Sequence, residues 1–542
     1  MMENSMPDSP RPNILFIVAD DTTPAYHSCY GGRTPTPNID AIAAEGALFQ
    51  RSHAVTALCN PSRFTIFTGL FPGHDPSVYE QVAPEEPYCV MQNTQIFPEM
   101  VTIARLLQHS GYYTGHVGKW HSNFKTEMTG AELLPRPDVE DWNDPELQRV
   151  LKHNDAVVRE VVAKCGGFDF VAASQWGNLG GKKPNRHNVP WQTDAALDFL
   201  DQAAERGGSF YLHVANSVPH SPDCSQSLDQ DDRYTQAGLM EEPPRSHPKD
   251  ATVWERMKQH DIPLEGPMAG INAGMLMLDD QVGEILQKLK ATGLDQNTIV
   301  IYTADHGIAG KGTCHYCGVH MPLVMKWPGQ IEPGKVISEP VSHVDFLPTL
   351  LEAANIDLPQ YPAYDGISFL PVVTGRADRL SREAVYVEQG WGRSVIKGRY
   401  QYIAFRYPQS AMDEMQTGKT EVAIDQVGRY HASFGDIGFR FRDCYYDADQ
   451  LYDLEKDPLQ RRNLASDPGH QTTLADLKQE LAGYLETFER PFPKKPDPFV
   501  QSETFQALVR NRREGLRPVS FYPPETDIDR LYWWNLPLDA CQ

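Results

Sequence analysis

Two uninterrupted apolar runs of strand length constrain this chain more than any other feature. Asn13-Ile14-Leu15-Phe16-Ile17-Val18-Ala19 and Thr298-Ile299-Val300-Ile301-Tyr302-Thr303 lack the polar alternation of a strand with one wet face. Both therefore read as strands covered on two sides, as in a parallel sheet between layers of helices. Each ends in potential ligands, Asp20-Asp21 after the first and Asp305-His306-Gly307 after the second. Paired carboxylates at the end of a buried strand repel each other and lose solvation unless a cation sits between them. Ligands of open α/β sheets gather at the carboxyl ends of strands. The predicted fold is α/β, a large mixed, mostly parallel sheet sandwiched by helices.

Other segments bring cations to the same end of such a sheet. Residues 112–117 read as a strand delivering Gly118-Lys119-Trp120-His121, and on extended backbone Lys119 and His121 point the same way. Residues 209–215 form a further buried strand, and the loop after it carries His220. Lys311 lies in the turn Gly310-Lys311-Gly312. Cys59 stands at the start of a helix, in Leu58-Cys59-Asn60-Pro61-Ser62-Arg63, with Thr68-Gly69 beyond it. Pro61 suits a first helical turn. Arg63, one turn on, can reach back towards residue 59, and a helix N-terminus is a seat for an anion.

The intervening chain reads less sharply. Residues 38–49 look like a short helix, residues 71–95 like a Pro- and Glu-rich loop over the site, and residues 100–107 and 194–204 like helices. Met275, Leu278, Val282, Ile285, Leu286 and Leu289 make one of the clearest helical stripes. Residues 122–190 show no strong period and read as an insertion or lid.

After residue 375 the pattern changes to short alternating strands and a packing helix built on Leu474, Leu477, Leu481 and Leu485. The expected organisation is a catalytic α/β domain over 11–375, a smaller C-terminal antiparallel sheet plus helix subdomain over 376–490, and an extension over 491–542. The extension carries Tyr532-Trp533-Trp534 and has two available roles, closing the site or joining copies into a homo-oligomer.

A formal net charge of −23 argues against nucleic acid or an anionic membrane surface as partner. An anionic substrate must then meet a local cationic pocket. No segment has the apolar length to cross a bilayer. Residues 1–10 lack the basic and apolar regions of a secretory signal. The chain therefore reads as cytoplasmic, although one trimmed from a periplasmic or secreted precursor would begin the same way. The nine cysteines are scattered without a framework spacing, which fits free thiols. The close pair in Cys314-His315-Tyr316-Cys317 has no second pair to complete a zinc site.

Each cluster taken alone has a plain structural reading: a buried thiol, capping aspartates, a histidine bonded in a turn. Together, and in this order over about residues 11–490, they resemble the sulfatase branch of the alkaline phosphatase superfamily, the type I or formylglycine-dependent sulfatases. The Cys-x-Pro-Ser-Arg run is that family's signature, and residues 451–458 with Asn463-Leu464 resemble its C-terminal marker.

The resemblance implies that Cys59 is oxidised to formylglycine (3-oxoalanine) by a formylglycine-generating enzyme or an anaerobic sulfatase-maturating enzyme. It implies that Asp20, Asp21, Asp305 and His306 bind a divalent cation together with residue 59. Calcium is usual, and hard carboxylate oxygens suit it. His306 stands where relatives have Asn or His, and its nitrogen leaves Mg²⁺ or Mn²⁺ open. One hydroxyl of the hydrated aldehyde, activated by the metal and Arg63, would attack sulfur. Lys119 and Lys311 would hold the sulfate oxygens, His220 would protonate the departing alcohol, and His121 would take the proton from the second hydroxyl.

The expected substrate is a small-molecule or oligosaccharide sulfate ester, most simply a sulfated sugar. Its walls are expected from the loops at 71–98, 122–190 and 222–266 and from the region of His315 and Trp391. Two alternatives are a phosphonate monoester or phosphodiester hydrolase on the same scaffold, and a sulfatase-like binding protein without turnover.

Overall fold

The computed structural model describes residues 11–515 except 81, 124–129, 131, 180–185, 229, 247–249, 266, 309, 359–363, 418–443 and 445. Twelve strands matter for the site: β1 (Asn13–Ala19), β2 (Ala47–Phe49), β3 (Tyr113–Lys119), β4 (Phe170–Gln175), β5 (Phe210–Ala215), β6 (Thr298–Ala304), β7 (Leu323–Lys326), β8 (Lys335–Ile337), β9 (Ala384–Gln389), β10 (Gly392–Lys397), β11 (Tyr400–Phe405) and β12 (Asp449–Asp453). The first eight form one sheet in the order β8-β2-β7-β6-β1-β5-β3-β4. Only β7 runs against the common direction.

Helices cover both faces: α1 (Pro37–Ala44), α2 (Cys59–Thr68), α3 (Ile103–His109), α4 (Pro145–Gly166), α5 (Val189–Arg206), α6 (Pro267–Ala291) and α7 (Phe346–Ala353). The pleat divides β1 between two cores. Leu15, Ile17 and Ala19 pack with residues of α1, α5 and α6. Ile14, Phe16 and Val18 pack with residues of α2, α3, α4 and α7. A strand at the centre of both cores has no place for a polar side chain, hence its unbroken apolar run.

Strands β9 to β12 make a separate antiparallel sheet in sequential order. Helix α8 (Gln471–Leu485) lies on one of its faces through Leu474, Leu477 and Leu481, against Tyr386, Val395 and Tyr402. Its other face, through Val385, Val387 and Ile403, joins the core of the main sheet. Of the extension, residues 516–542, including Tyr532-Trp533-Trp534, lie outside the described residues.

Two readings of the sequence need correction. Residues 122–190 are no mere lid: they contain α4, of 22 residues, and β4, the edge strand of the main sheet. The signals for α4 are present. Asp144 caps the first turn by accepting from Leu147 N (2.8 Å), Pro145 opens the helix, and Gly167 ends it at φ 85°. Its buried stripe is built largely of Val150, Val157, Val158, Val161 and Val162, β-branched residues that blur a helical pattern. Residues 47–49 are likewise a strand, not the end of a helix.

Candidate active site

Four adjacent parallel strands, β6, β1, β5 and β3, end on one level. Asp305 N donates to Ala19 O (3.0 Å) and Asp20 N to Val218 O (3.1 Å), which aligns the turns after β6, β1 and β5. These turns and the end of β3 deliver Asp305-His306, Asp20-Asp21, His220 and Lys119-Trp120-His121 to one volume. Gly118 makes the last delivery possible. It sits at φ +93°, and a Cβ there would meet Ala215 O at 2.1 Å. The backbone turns again at His121 (φ 43°), so Lys119 and His121 do not share the simple alternation of an extended strand.

Helix α2 opens directly beneath these turns, and Cys59 is its first residue, fully buried. Its Sγ lies 3.0 Å from His306 Nε2 and 3.5 Å from Asp20 Oδ1. The thiol is held well below its ordinary pKa: burial opposes ionisation, but Lys119, Lys311 and His306, with a hydrogen bond from His121, outweigh it. The position is built for an anion.

One turn on, Arg63 Nε donates to Asp305 Oδ2 (3.0 Å), and its Nη1 donates to Lys119 O (3.1 Å). The same guanidinium lies 3.8 Å from Asp20 Oδ2. Lys119 Nζ is ion-paired with Asp20. Lys311 Nζ donates to Asp21 Oδ2 (2.7 Å), and His220 Nε2 lies 3.5 Å from the same oxygen. His306 Nδ1 is 3.0 Å from Asp21 Oδ1.

The donor atoms fall into two overlapping groups, Asp20, Cys59, Asp305 and His306, and Asp20, Asp21 and His220, within each of which all lie within 4.8 Å of one another. Burial and the charge of Asp20 push the Asp305 carboxyl up to about 6. Burial also raises Asp20, but Lys119, His220 and Arg63 prevail and hold it at about 2. Carboxylates crowded to this degree are a donor set that fits a divalent cation.

Ten of the sequence-nominated residues thus converge: Asp20, Asp21, Cys59, Arg63, Lys119, His121, His220, Asp305, His306 and Lys311. His315 is not among the grouped donors. It is fully buried at the head of the short helix Tyr316–Val319, with its ring 5.9 Å from that of Tyr452 in β12. Trp391 is also buried, its ring 5.6 Å from that of Tyr407. Both pack at the seam between the two sheets.

Two contributors escaped the sequence reading. Asn178 Oδ1 accepts from Lys119 Nζ (2.5 Å), from the loop that follows β4. Asn60 Nδ2 donates to His121 O (3.2 Å) and Thr94 O (3.0 Å), which fixes the loop bearing His121 over the first turn of α2. Recognition of β4 as a parallel strand would have pointed to Asn178, because the loop at its carboxyl end faces the site.

A mostly parallel sheet between two layers of helices, with this charged cluster at the ends of its central strands, is an alkaline phosphatase-like α/β fold. The chain belongs to the sulfatase family, whose profile it matches over residues 12–356. It is 26% identical over 501 residues to an ulvan-active sulfatase of Formosa agariphila, covering 90% of this chain and 82% of that one. It is 25% identical over 546 residues to an N-acetylgalactosamine-6-O-sulfatase of Bacteroides thetaiotaomicron, covering 88% and 93%. It is 28% identical over 503 residues to human arylsulfatase A, covering 84% and 83%. Among solved structures, one protein in complex with its substrate D-glucosamine-2-N,6-O-disulfate superposes with a TM-score of 0.58 at 20% identity, over 90% of this chain and 99% of that one. The phosphonate monoester hydrolase of Agrobacterium radiobacter superposes at 0.54 with 19% identity, over 88% and 96%. These two likenesses concern the fold.

Proposed function

We propose that this chain hydrolyses a sulfate ester carried by a carbohydrate, using residue 59 after its conversion to formylglycine and a divalent cation, calcium in the first instance. The observation that carries the reading is the convergence of Arg63, Lys119, Lys311 and His306 on the fully buried side chain of Cys59. The sugar sulfatases among its relatives support a carbohydrate as the alcohol. Asp20, Asp21, Asp305 and His306 would hold the cation. When bound, it supplies Lewis-acid charge beside residue 59, and the hydrated aldehyde supplies a nucleophile with a second hydroxyl.

The remaining work falls to side chains already in place. Lys119 and Lys311 flank the pair of aspartates after β1, and their ammonium groups stabilise sulfate oxygens as the ester bond breaks. His220 Nδ1 lies 2.8 Å from Ser221 O, and a carbonyl only accepts, so Nδ1 carries a proton. Nε2, 3.5 Å from Asp21 Oδ2, is then the nitrogen from which a proton passes to the leaving alcohol. His121 hydrogen-bonds residue 59, and burial with help from Lys119 lowers its imidazole to about 4. A neutral ring in that position accepts a proton from residue 59. Arg63 anchors Asp305 and the end of β3 and thereby fixes the distances within the site.

Mass spectrometry of the peptide carrying residue 59, combined with a panel of aryl sulfate, aryl phosphate diester and sulfated sugars with and without chelator, tests the proposal. The expected result is an aldehyde at residue 59 and chelator-sensitive release of sulfate. Turnover of the phosphate diester alone would reassign the chain to phosphonate or phosphodiester hydrolysis. A confirmed aldehyde with no turnover would make it a binding protein.

A further inference from the structure

We propose that Arg136 holds a second anionic group of the substrate, a carboxylate or a further sulfate carried near the scissile ester; this specificity role rests on the sulfate-ester reading above. A cavity of about 460 Å³ lies beside the catalytic cluster, with Gln92, His121, Arg136, Trp176, Asn178 and Gln236 among its walls. That volume lies within the range of small-ligand sites. Asn178 joins the two spaces, since it lines the cavity and accepts from Lys119. A sugar seated there would present its sulfate to the lysines while its ring met the indole of Trp176.

Arg136 is anomalous for this chain. With 72 acidic residues against 49 lysines and arginines, carboxylates are in surplus. Other sheltered arginines take them: Arg256 pairs with Asp280 at 2.6 Å, and Arg393 lies 3.5 Å from Glu388. Among the described residues nothing pairs with Arg136, and burial alone pulls its pKa down. The cavity's own carboxylate, Asp155, is engaged by Arg159 at 3.0 Å. A half-buried guanidinium without a counter-charge among the described residues, on the wall of a cavity that opens to an anion-binding cluster, is completed by an anion from outside the chain.

The segment is also held in place. Pro135 and Pro137 flank Arg136. Asn154 of α4 clamps Leu134 in both directions, donating to its carbonyl (2.9 Å) and accepting from its N–H (2.8 Å). His153 Nε2 donates to Glu132 O (2.9 Å). A guanidinium carried on a fixed backbone segment loses less freedom on meeting a carboxylate or sulfate than one on a loose loop.

The test compares the wild-type protein with Arg136→Gln and Arg136→Lys on an aryl sulfate, a disulfated monosaccharide and a sulfated disaccharide bearing a uronic acid. R136Q should lower kcat/KM on the doubly charged sugars about 10- to 100-fold, mainly through KM. It should leave the aryl sulfate within about two-fold, and R136K should recover part of the loss. A loss confined to the disulfated sugar assigns a second sulfate, and one confined to the uronate assigns a carboxylate. Equal losses on all three substrates, or none on either sugar, would overturn the proposal. Wild-type turnover of any sulfate ester tests the underlying reading by itself. Where that turnover is nil, calorimetric titration of the disulfated sugar into wild type and R136Q still decides, and equal affinities would refute the role of Arg136.

Discussion

Among the described residues, a fully buried charge pair on the second sheet and the fully buried cluster around residue 59 are built differently. On the β9–β10 hairpin, Glu388 faces Arg393 across the strands. Glu388 accepts from Gly73 N (2.7 Å), Tyr88 Oη (2.8 Å) and Tyr386 Oη (3.2 Å). Arg393 donates to the carbonyls of Gly390 (3.0 Å), Gly392 (2.7 Å) and Tyr88 (2.8 Å). One charge meets one charge, and the hydrogen bonds run to backbone and hydroxyls that tie residues 73–88 to the second sheet. Around residue 59 the ratio differs: Asp20 alone faces Lys119, Arg63 and Cys59. The first arrangement is closed and holds the fold; the second crowds like charges together and is poised to take up others.

Substitutions that neutralise one charge in each constellation should separate the two roles. The largest effect is expected from Asp305→Asn, which should lower kcat/KM by about 10³-fold or more by weakening the cation site. With the cation removed by chelator, its stability should be kept or improved at neutral pH. The Asp305 carboxyl is pushed up to about 6 by burial and the charge of Asp20, so its ionisation costs stability as pH rises from the ordinary carboxylate range through that value. Thermal melts at pH 5 and pH 7.5 check this, and a large loss of stability at pH 7.5 would place Asp305 with the structural pair. Glu388→Gln should do the reverse: a loss of about 3 kcal/mol in denaturant titrations, with kcat of the folded protein nearly unchanged.

Asn178→Ala should lower kcat/KM about 10-fold with little change in melting temperature, since it removes an orienting partner of Lys119 and part of the cavity wall. The smallest effect concerns His74, 3.2 Å from Asp365 beside the structural pair. Burial lowers its pKa, but the hydrogen bond and charge of Asp365 raise it more, above the usual histidine value. Its contribution is present below about pH 6.5 and lost as pH climbs through the raised value. His74→Gln should remove about 1 kcal/mol of that slope in chemical denaturation measured across this window.

The parts of the site legible in the sequence were those where one local constraint left one solution. β1 and β6 show themselves because burial on both faces excludes charge and leaves little place for polar side chains, and the acids that end them stand out by contrast. The first turn of α2 is similarly compact in sequence. Asn178 and Arg136 are invisible at that level: one depends on β4 lying beside β3, the other on α4 clamping Leu134, and both facts are tertiary. His315, expected with Trp391 to wall the substrate, is placed by contacts that its sequence does not show. Gly312 N donates to Ala57 O (2.7 Å) on the α2 side, and His315 goes to the seam with Tyr452.

The burial of Cys59 sets a clock. A side chain with no exposed surface, at the base of an interior helix, is out of reach of any other protein once the two layers have closed over it. If residue 59 is to become an aldehyde, a maturing enzyme must find it on the nascent or unfolded chain, in competition with collapse of the core. Variants or growth temperatures that hasten folding should then yield well-folded protein with a smaller converted fraction, and activity per molecule would report the outcome of that race.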